Sequence, residues 1–180
     1  MPGATPTKAR SVSGDLTQAS FVVPPGWKPT ATDTSVQGLT PNGVPAHARN
    51  PAEVTEVMLS PCGEAPAHPV SDPAHALEMN LMRGSSAGVG ELLEFGTANQ
   101  ARAWFDAFRT QLTACVRSQP SVFTKLAATP SVWRGRRNLG STGNFAEVGV
   151  LGGQRIAIYA LDDPRHTVDT VALAARIAKG

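Results

Sequence analysis

The stretch TANQARAWFDAFRTQLTACV, residues 97–116, is the clearest helix in the sequence and carries one of its two cysteines, so the neighbouring segments are placed relative to it. Thr97, followed three positions later by Gln100, has the form of a capping box at a helix start. Apolar residues then recur at spacings of three and four and form one helix face. The residues on this face are Ala101, Trp104, Phe105, Phe108, Leu112 and Cys115. The pattern predicts an amphipathic helix packed on a core.

Two β-strands are predicted directly before this helix. The short apolar run 89–95 predicts a strand that leads into the helix. Residues 77–82 alternate apolar and polar side chains with one exception, which is the pattern of a half-buried strand. The glycine-containing connection 84–88 joins the two runs, so they are predicted to pair as an antiparallel hairpin.

After the central helix the sequence predicts more strands and a second main helix. Residues 118–130 fit either a short strand or a helical turn, and residues 132–139 predict a strand exposed on one face. Two β-rich runs, 144–151 and 154–161, are separated by Gly-Gly and predict a hairpin with a primed turn. Residues 167–179 carry an apolar stripe at helical spacing and predict a terminal helix.

The first third of the chain is rich in proline and predicts mostly extended structure. Residues 1–19 have almost no periodic apolar pattern, which predicts a flexible tail or tether. Residues 21–23 predict a short strand before a proline-rich turn, with Trp27 packing on the core. Residues 50–59 predict a short helix with Asn50 as its cap.

These elements assign the chain to the α+β class. Their order, strands, helix, strands and helix, predicts an antiparallel sheet with the two main helices packed on one face. The chain has 180 residues and 41% hydrophobic content, which is enough to bury a single core. We therefore expect one domain, residues 20–180, preceded by the tail.

Charge and hydropathy limit the partners of the chain. The net charge is +2 and charged residues make up 17% of the sequence, so no broad electrostatic field attracts nucleic acid or an anionic membrane. No run approaches the roughly 18 apolar residues of a membrane span, and residues 1–20 lack the apolar segment of a signal peptide. We expect a soluble chain that, if exported, has lost its signal sequence.

The two cysteines, Cys62 and Cys115, allow two interpretations. They are 53 positions apart, which is not the ligand spacing of a zinc finger. One interpretation is a pair of buried free thiols in a cytosolic protein. The other is a disulfide that joins the loop before the sheet to the end of the central helix, which requires an oxidising compartment. The disulfide is the favoured interpretation, and it predicts an extracytoplasmic location.

The four histidines, His47, His68, His75 and His166, are the first candidates for catalysis or metal binding. His68 and His75 are seven positions apart across two prolines, which does not give the fixed geometry of a helical metal pair. His166 follows two aspartates, a sequence that equally fits a turn and an acidic helix entry. No nucleophile elbow or phosphate-binding glycine loop is present. The sequence predicts no catalytic residue, no metal site and no cofactor.

A short arginine-rich segment is the most specific candidate for ligand binding. Three guanidinium groups and one indole ring lie close together in its sequence, from Trp133, Arg134, Arg136 and Arg137. Arginine recognises phosphate and carboxylate groups, and an adjacent aromatic ring can stack on a ligand. The alternative is a strand with arginines on its solvated face and Trp133 buried on the other.

Three segments resemble the extracytoplasmic sensor domain of the actinobacterial PknH type and the secreted lipoproteins built on that domain. They are LSPCGEAP, GELLEFGTANQARAWFDAFRTQLTAC and the ending AEVGVLGGQRIAIYALDDP with TVALAARIA. The resemblance implies an exported α+β domain with disulfides, a cleft for a small molecule and no catalysis. This chain has one cysteine pair where such domains often have two, and no binding residue is carried over by position.

Three functions follow from these observations. The favoured one is an exported or lipid-tethered domain that recognises a small molecule, a cell-envelope component or a protein in a cleft between sheet and helix. The second is a small enzyme whose site is built from loop histidines and carboxylates. The third is an anion or nucleic-acid binder that uses Arg134, Arg136 and Arg137. The first is preferred because every strong periodic pattern is structural.

Overall fold

The structure is a computed structural model that describes residues 14–31, 40–41 and 46–180. Within these residues, nine strands form one sheet and three α-helices pack on it. The strands are β1 (Lys28–Pro29), β2 (Thr40–Pro41), β3 (Ala46–Arg49), β4 (His75–Arg83), β5 (Ser86–Glu94), β6 (Phe123–Thr129), β7 (Val132–Asn138), β8 (Asn144–Gly152) and β9 (Arg155–Asp162). The helices are α1 (Pro51–Met58), α2 (Ala98–Ser118) and α3 (Thr170–Ile177). The predicted α+β class with an antiparallel sheet is confirmed.

The sheet is antiparallel throughout, with strand order β2-β3-β4-β5-β9-β8-β7-β6 and β1 paired to β4. Both predicted hairpins form, β4 with β5 and β8 with β9. In the second hairpin Gly152 pairs with Arg155, and Gly153 takes a φ of +60°, the left-handed region that a tight turn requires. The ambiguous segment 118–130 ends the central helix and then forms β6.

Side-chain caps fix the start of each helix. Thr97 Oγ1 accepts a hydrogen bond from the Gln100 N–H (3.2 Å) at the start of α2, and Asn50 Oδ1 accepts one from the Ala52 N–H (3.0 Å) at α1. Helix α3 begins three residues later than predicted, because the Asp169 carboxylate caps it by accepting two backbone N–H groups.

The two main helices pack on opposite faces of the sheet, so the prediction that both lie on one face is wrong. Ile156 and Ile158 of β9 pack with the apolar side chains of α2 in one buried cluster. Ala157 and Tyr159 of the same strand pack in a second cluster that contains α3. Because successive strand residues point to opposite faces, a central strand that is apolar at every position needs a cover on both sides. We call these the α2 face and the α3 face.

The N-terminal segment covers part of the α3 face. Leu16, Phe21 and Trp27 are buried there in the cluster that contains α3, although residues 21–23 do not form the predicted strand. Instead, the Val22 N–H donates a hydrogen bond to the hydroxyl of Tyr159 (3.0 Å). Residues 1–13 of the predicted tail lie outside the described residues. The packed region therefore includes Leu16, which the sequence analysis assigned to the tail.

A disulfide joins Cys62 to Cys115, with 5.8 Å between the two Cα atoms. This confirms the favoured interpretation of the cysteines. Cys115 lies fully buried on α2, and Cys62 follows α1, so the bond fastens the segment after α1 to the C-terminal part of α2. A hydrogen bond from Trp104 Nε1 to Thr55 Oγ1 (3.2 Å) links the same two helices on the α2 face.

Candidate functional site

The predicted tryptophan-arginine segment lies on β7, where strand alternation divides it between the two faces. Trp133 is buried in the cluster that contains α2, and Arg137 shares that face. Arg134 and Arg136 lie on the α3 face. The three guanidinium groups and the indole therefore do not form one surface, and ligand binding by this set stays a prediction.

Each of these arginines has a partner within the protein. Arg137 Nη2 lies 2.6 Å from Glu147 Oε1, and its guanidinium stacks on Phe123 at 5.0 Å from the ring centroid. Arg136 Nη1 lies 3.4 Å from Asp163 Oδ2. Arg134 donates a hydrogen bond to Thr170 at the start of α3 (3.3 Å). These contacts tie β7 to its surroundings on both faces.

The four histidines lie in different parts of the structure. His47 is buried in β3, and its Nε2 lies 3.0 Å from Glu78 Oε1. His75 begins β4, where its side chain lies on the opposite face of the sheet from that of His47. His68 is in the loop before β4, and His166 is in the turn after β9 with a φ of 55°. The structure does not bring them together into the predicted loop-built histidine and carboxylate site.

Around His47 lies a buried cluster of charged side chains. Arg49 contacts both Glu78 and Glu91, the latter at 3.5 Å. Burial, together with the charge of Glu78, raises the pKa of Glu91 well above its usual value, and Arg49 offsets only part of this effect. Within the described residues, no group of three or more histidine, cysteine, aspartate or glutamate side chains has an arrangement suited to a metal ion.

Asp163 is a buried carboxylate in the connection between β9 and α3, and it accepts several hydrogen bonds. It has no exposed surface and accepts hydrogen bonds from the backbone N–H groups of Thr167 (2.8 Å) and Val168 (2.9 Å). Burial alone raises its pKa, but these hydrogen bonds and that from Arg136 outweigh burial and lower the pKa to about 2. Asp163 therefore remains ionised and holds the connection between β9 and α3 in place.

A cavity of about 160 Å³ lies on the α3 face between the sheet, the N-terminal segment and the C-terminal end of α3. We call it the α3 cavity. Its lining is mostly apolar, with the hydroxyls of Ser20 and Tyr159 and the guanidinium of Arg155 as polar groups. The main apolar residues of the lining are Val22, Leu92, Val150, Ala157 and Ile177. An apolar pocket with a few placed polar groups is the usual form of a small-molecule site.

Tyr159 supplies a polar group at the floor of the α3 cavity. Burial raises the pKa of its hydroxyl above the usual value, so it is neutral at physiological pH. The hydroxyl accepts the Val22 N–H and keeps its own proton for donation. Among the described residues, none of those that line the cavity is a cysteine, a histidine, an aspartate or a glutamate.

A wider and more polar cleft of about 470 Å³ adjoins the α3 cavity, and the two share Gly152 and Arg155. Its charged lining residues are Asp15, Glu94 and Arg155, with His75 beside them. Arg155 Nη2 lies 2.8 Å from Glu94 Oε2, so the arginine at the junction of the two cavities is already paired. A ligand in the α3 cavity that carries a polar group meets this pair at the junction.

The residues of the α3 cavity are not among the candidates predicted from the sequence. They come from four segments, around residues 20–22, 92, 150–159 and 177–180, and none of these carries a chemical motif. One feature of the sequence does point towards this cavity. Tyr159 is the single tyrosine of the chain and lies in the middle of an apolar strand, where a buried hydroxyl needs a hydrogen-bond partner.

The sequence matches no protein-family model and no curated protein sequence. The fold is similar to that of a solved structure, the extracellular domain of PknH from Mycobacterium tuberculosis, with a TM-score of 0.50 and 10% sequence identity. The similarity covers 86% of this chain and 84% of that chain. It establishes a distant relationship in fold between the two domains. Within the described residues, no helix combines the length and apolar character that crossing a membrane requires.

Proposed function

We propose that this chain is an extracytoplasmic, non-catalytic binding domain that recognises a small molecule from the cell envelope or its surroundings in the α3 cavity. The observation that carries the proposal is the cavity itself, an apolar space of about 160 Å³ between sheet and helix with a neutral tyrosine hydroxyl in its lining. An engineered apolar cavity of about 150 Å³ in another protein binds benzene, so this volume suits one aromatic ring or a short branched chain.

Two further observations support the extracytoplasmic location. The Cys62–Cys115 disulfide is typical of proteins in oxidising compartments outside the cytosol. The solved structure with a similar fold is described as an extracellular domain, which agrees with that compartment. By analogy in fold, the proposal extends to a sensor-like role, in which binding of the molecule is the signal.

Titration with indole tests this function, because indole fills a cavity of this size and can accept the tyrosine proton on its ring face. We expect a dissociation constant of about 0.1–1 mM by ligand-observed NMR, within the range for a ligand of nine non-hydrogen atoms. At ten times that concentration, the bound ligand stabilises the folded domain by about 1.4 kcal/mol in thermal unfolding.

A pair of variants on β9 provides the control. Ala157→Leu adds three carbon atoms to the floor of the α3 cavity and is expected to abolish indole binding. Ala160→Leu makes the same change on the opposite face of the same strand and is expected to leave binding unchanged. Absence of binding to the unmodified domain, or equal binding by the two variants, would contradict the proposed function.

A further inference from the structure

Two other cavities on the α3 face meet at Arg83, at the opposite end of α3 from the cavity described above. The first has a volume of about 160 Å³ and lies between Trp27, the proline turn before it and the N-terminal half of α3. The second has a volume of about 400 Å³ and lies between the β4–β5 turn and the loop after β9. Both are lined by Arg83 and Thr167, so the two cavities adjoin at these residues, and we call them together the Arg83 groove.

The guanidinium of Arg83 is held in position at the middle of this groove. It lies over the ring of Trp27, 4.9 Å from the centroid. Its Nη2 lies 3.3 Å from Asp163 Oδ1 and donates a hydrogen bond to Thr167 Oγ1 (3.0 Å). Within the part of the chain that the structure describes, these hydrogen bonds use only one terminal nitrogen, which leaves the N–H groups of Nε and Nη1 for a ligand. A guanidinium that is already ordered loses little side-chain entropy when it binds an anion.

The charges around Arg83 leave an excess of positive charge. Asp163 is shared between Arg83 and Arg136, so these three groups together carry one net positive charge. Arg165, an exposed residue that lines the same part of the groove, adds another. The hydroxyl groups of Ser85 and Ser86 lie in this lining as well. Two guanidinium groups and two hydroxyls supply more donors than the two oxygens of a carboxylate accept, and they suit the three oxygens of a phosphate.

The other half of the groove is mainly apolar, although Asp169 and Arg176 line it as well. Trp27 and Leu173 line it and are almost fully buried, at 4% and 3% exposure, and Val168 and Ala172 lie beside them. Arg83 lines both halves, whereas Ser85 and Ser86 line only the half at the β4–β5 turn. A ligand that fills both halves therefore carries its charge at one end and a short hydrocarbon group at the other.

We propose that the Arg83 groove binds a single-chain amphiphile with a phosphate headgroup, with the phosphate at Arg83, Arg165 and the β4–β5 turn and the hydrocarbon against Trp27. This site is separate from the α3 cavity and adds a second ligand class to the domain. Since none of its residues lines the α3 cavity, the two sites are tested independently.

Titration calorimetry with octyl phosphate below its micelle concentration tests the site. We expect binding at least about tenfold tighter than that of inorganic phosphate, because two or more methylene groups are buried against Trp27. We expect no binding of octyltrimethylammonium, which has the same chain and the opposite charge. Affinity for octyl phosphate is expected to fall as salt concentration rises. Equal affinity for octyl phosphate and inorganic phosphate, or for octyl phosphate and the cation, overturns the proposal.

Variants assign the binding to the groove. Arg165→Gln removes an exposed charge and is expected to weaken octyl phosphate binding by about two- to fivefold without affecting folding. Arg83→Gln is expected to weaken it by about tenfold or more, with folding checked by circular dichroism. Arg102→Gln removes an exposed arginine from α2, on the other face, and is the matched control. An Arg165 variant that binds octyl phosphate like the Arg102 control overturns the proposal. The Arg83 and Arg165 variants should both bind indole like the unmodified domain.

Discussion

Breaking the Cys62–Cys115 bond is expected to remove a large part of the stability of the domain. The bond closes a loop over 53 positions of sequence, and that loop contains the β4–β5 hairpin and most of α2. In the chain-entropy model, a crosslink of this span restricts the unfolded chain by about 4 kcal/mol at 25 °C. Domains of this size are stable by only about 5–15 kcal/mol, so the bond accounts for a quarter or more of the total.

Two forms of the protein separate the crosslink from local packing. Reduction with dithiothreitol breaks the bond and keeps both sulfur atoms. The double variant Cys62→Ala and Cys115→Ala also removes the sulfur of Cys115, which is fully buried, and is expected to lose about 1 kcal/mol more through the small cavity left behind. The reduced protein should therefore be slightly more stable than the double variant, and both should be far less stable than the oxidised protein.

Urea denaturation followed by circular dichroism measures these differences. With a slope of about 2 kcal/mol per molar urea, a loss of about 4 kcal/mol moves the midpoint down by about 2 M. Dithiothreitol should have no effect on the double variant, which serves as the control for the reductant. A midpoint that moves by less than about 0.5 M on reduction would refute the reasoning, because the unfolded chain would then gain almost no freedom when the bond is broken.

Three further predictions concern buried groups. Because the pKa of Glu91 is raised in the folded state, the folded protein takes up a proton at a higher pH than the unfolded chain does. The free energy of unfolding should therefore rise as pH falls from neutral towards 4.5. Glu91→Gln should flatten this rise in thermal melts. The pKa of Asp163 is lowered from 3.8 to about 2, which corresponds to a contribution of about 2 kcal/mol to the free energy of unfolding. This contribution should be present above pH 3.8 and lost below it. Asp163→Asn should remove the contribution at pH 7. Gly135→Ala should cost about 1–3 kcal/mol in urea denaturation, since a Cβ there would lie 2.8 Å from the Thr124 carbonyl oxygen, whereas Gly152→Ala, in open space, should cost almost nothing.

Local patterns in the sequence predicted the individual elements well. The Thr97 and Asn50 caps and the β8–β9 hairpin form as predicted, because each depends on residues within a few positions of one another. Of the predicted capping box, the described hydrogen bonds include the one from the Gln100 N–H to the Thr97 hydroxyl and not the reciprocal one. The ambiguous segment before β7 illustrates the limit of such patterns. Its apolar residues fit two periods equally, and pairing with β7 determines that it becomes a strand.

The distribution of side chains between the two faces was harder to predict, although part of it was present in the sequence. Trp133 and Arg134 are adjacent in a strand, so they had to point to opposite faces. The same rule applies to the central strand β9, where Ile156, Ala157, Ile158 and Tyr159 are all buried. A strand whose successive residues are all buried indicates a sheet that is covered on both faces, and this is what places α2 and α3 on different sides.

Glycines in β5 explain how the N-terminal segment packs on the α3 face. A Cβ at Gly90 would lie 2.8 Å from the Tyr159 ring and 3.3 Å from Phe21, and one at Gly88 would lie 2.9 Å from Trp27. A glycine inside a strand commonly marks such a close approach, but the sequence does not say which segment approaches. Phe21 and Trp27 occupy these two positions, and the segment that carries them forms one wall of each cavity. Val22 lines the α3 cavity and Trp27 lines the Arg83 groove, so both proposed sites depend on the same contacts between β5 and a segment about 65 positions earlier in the chain.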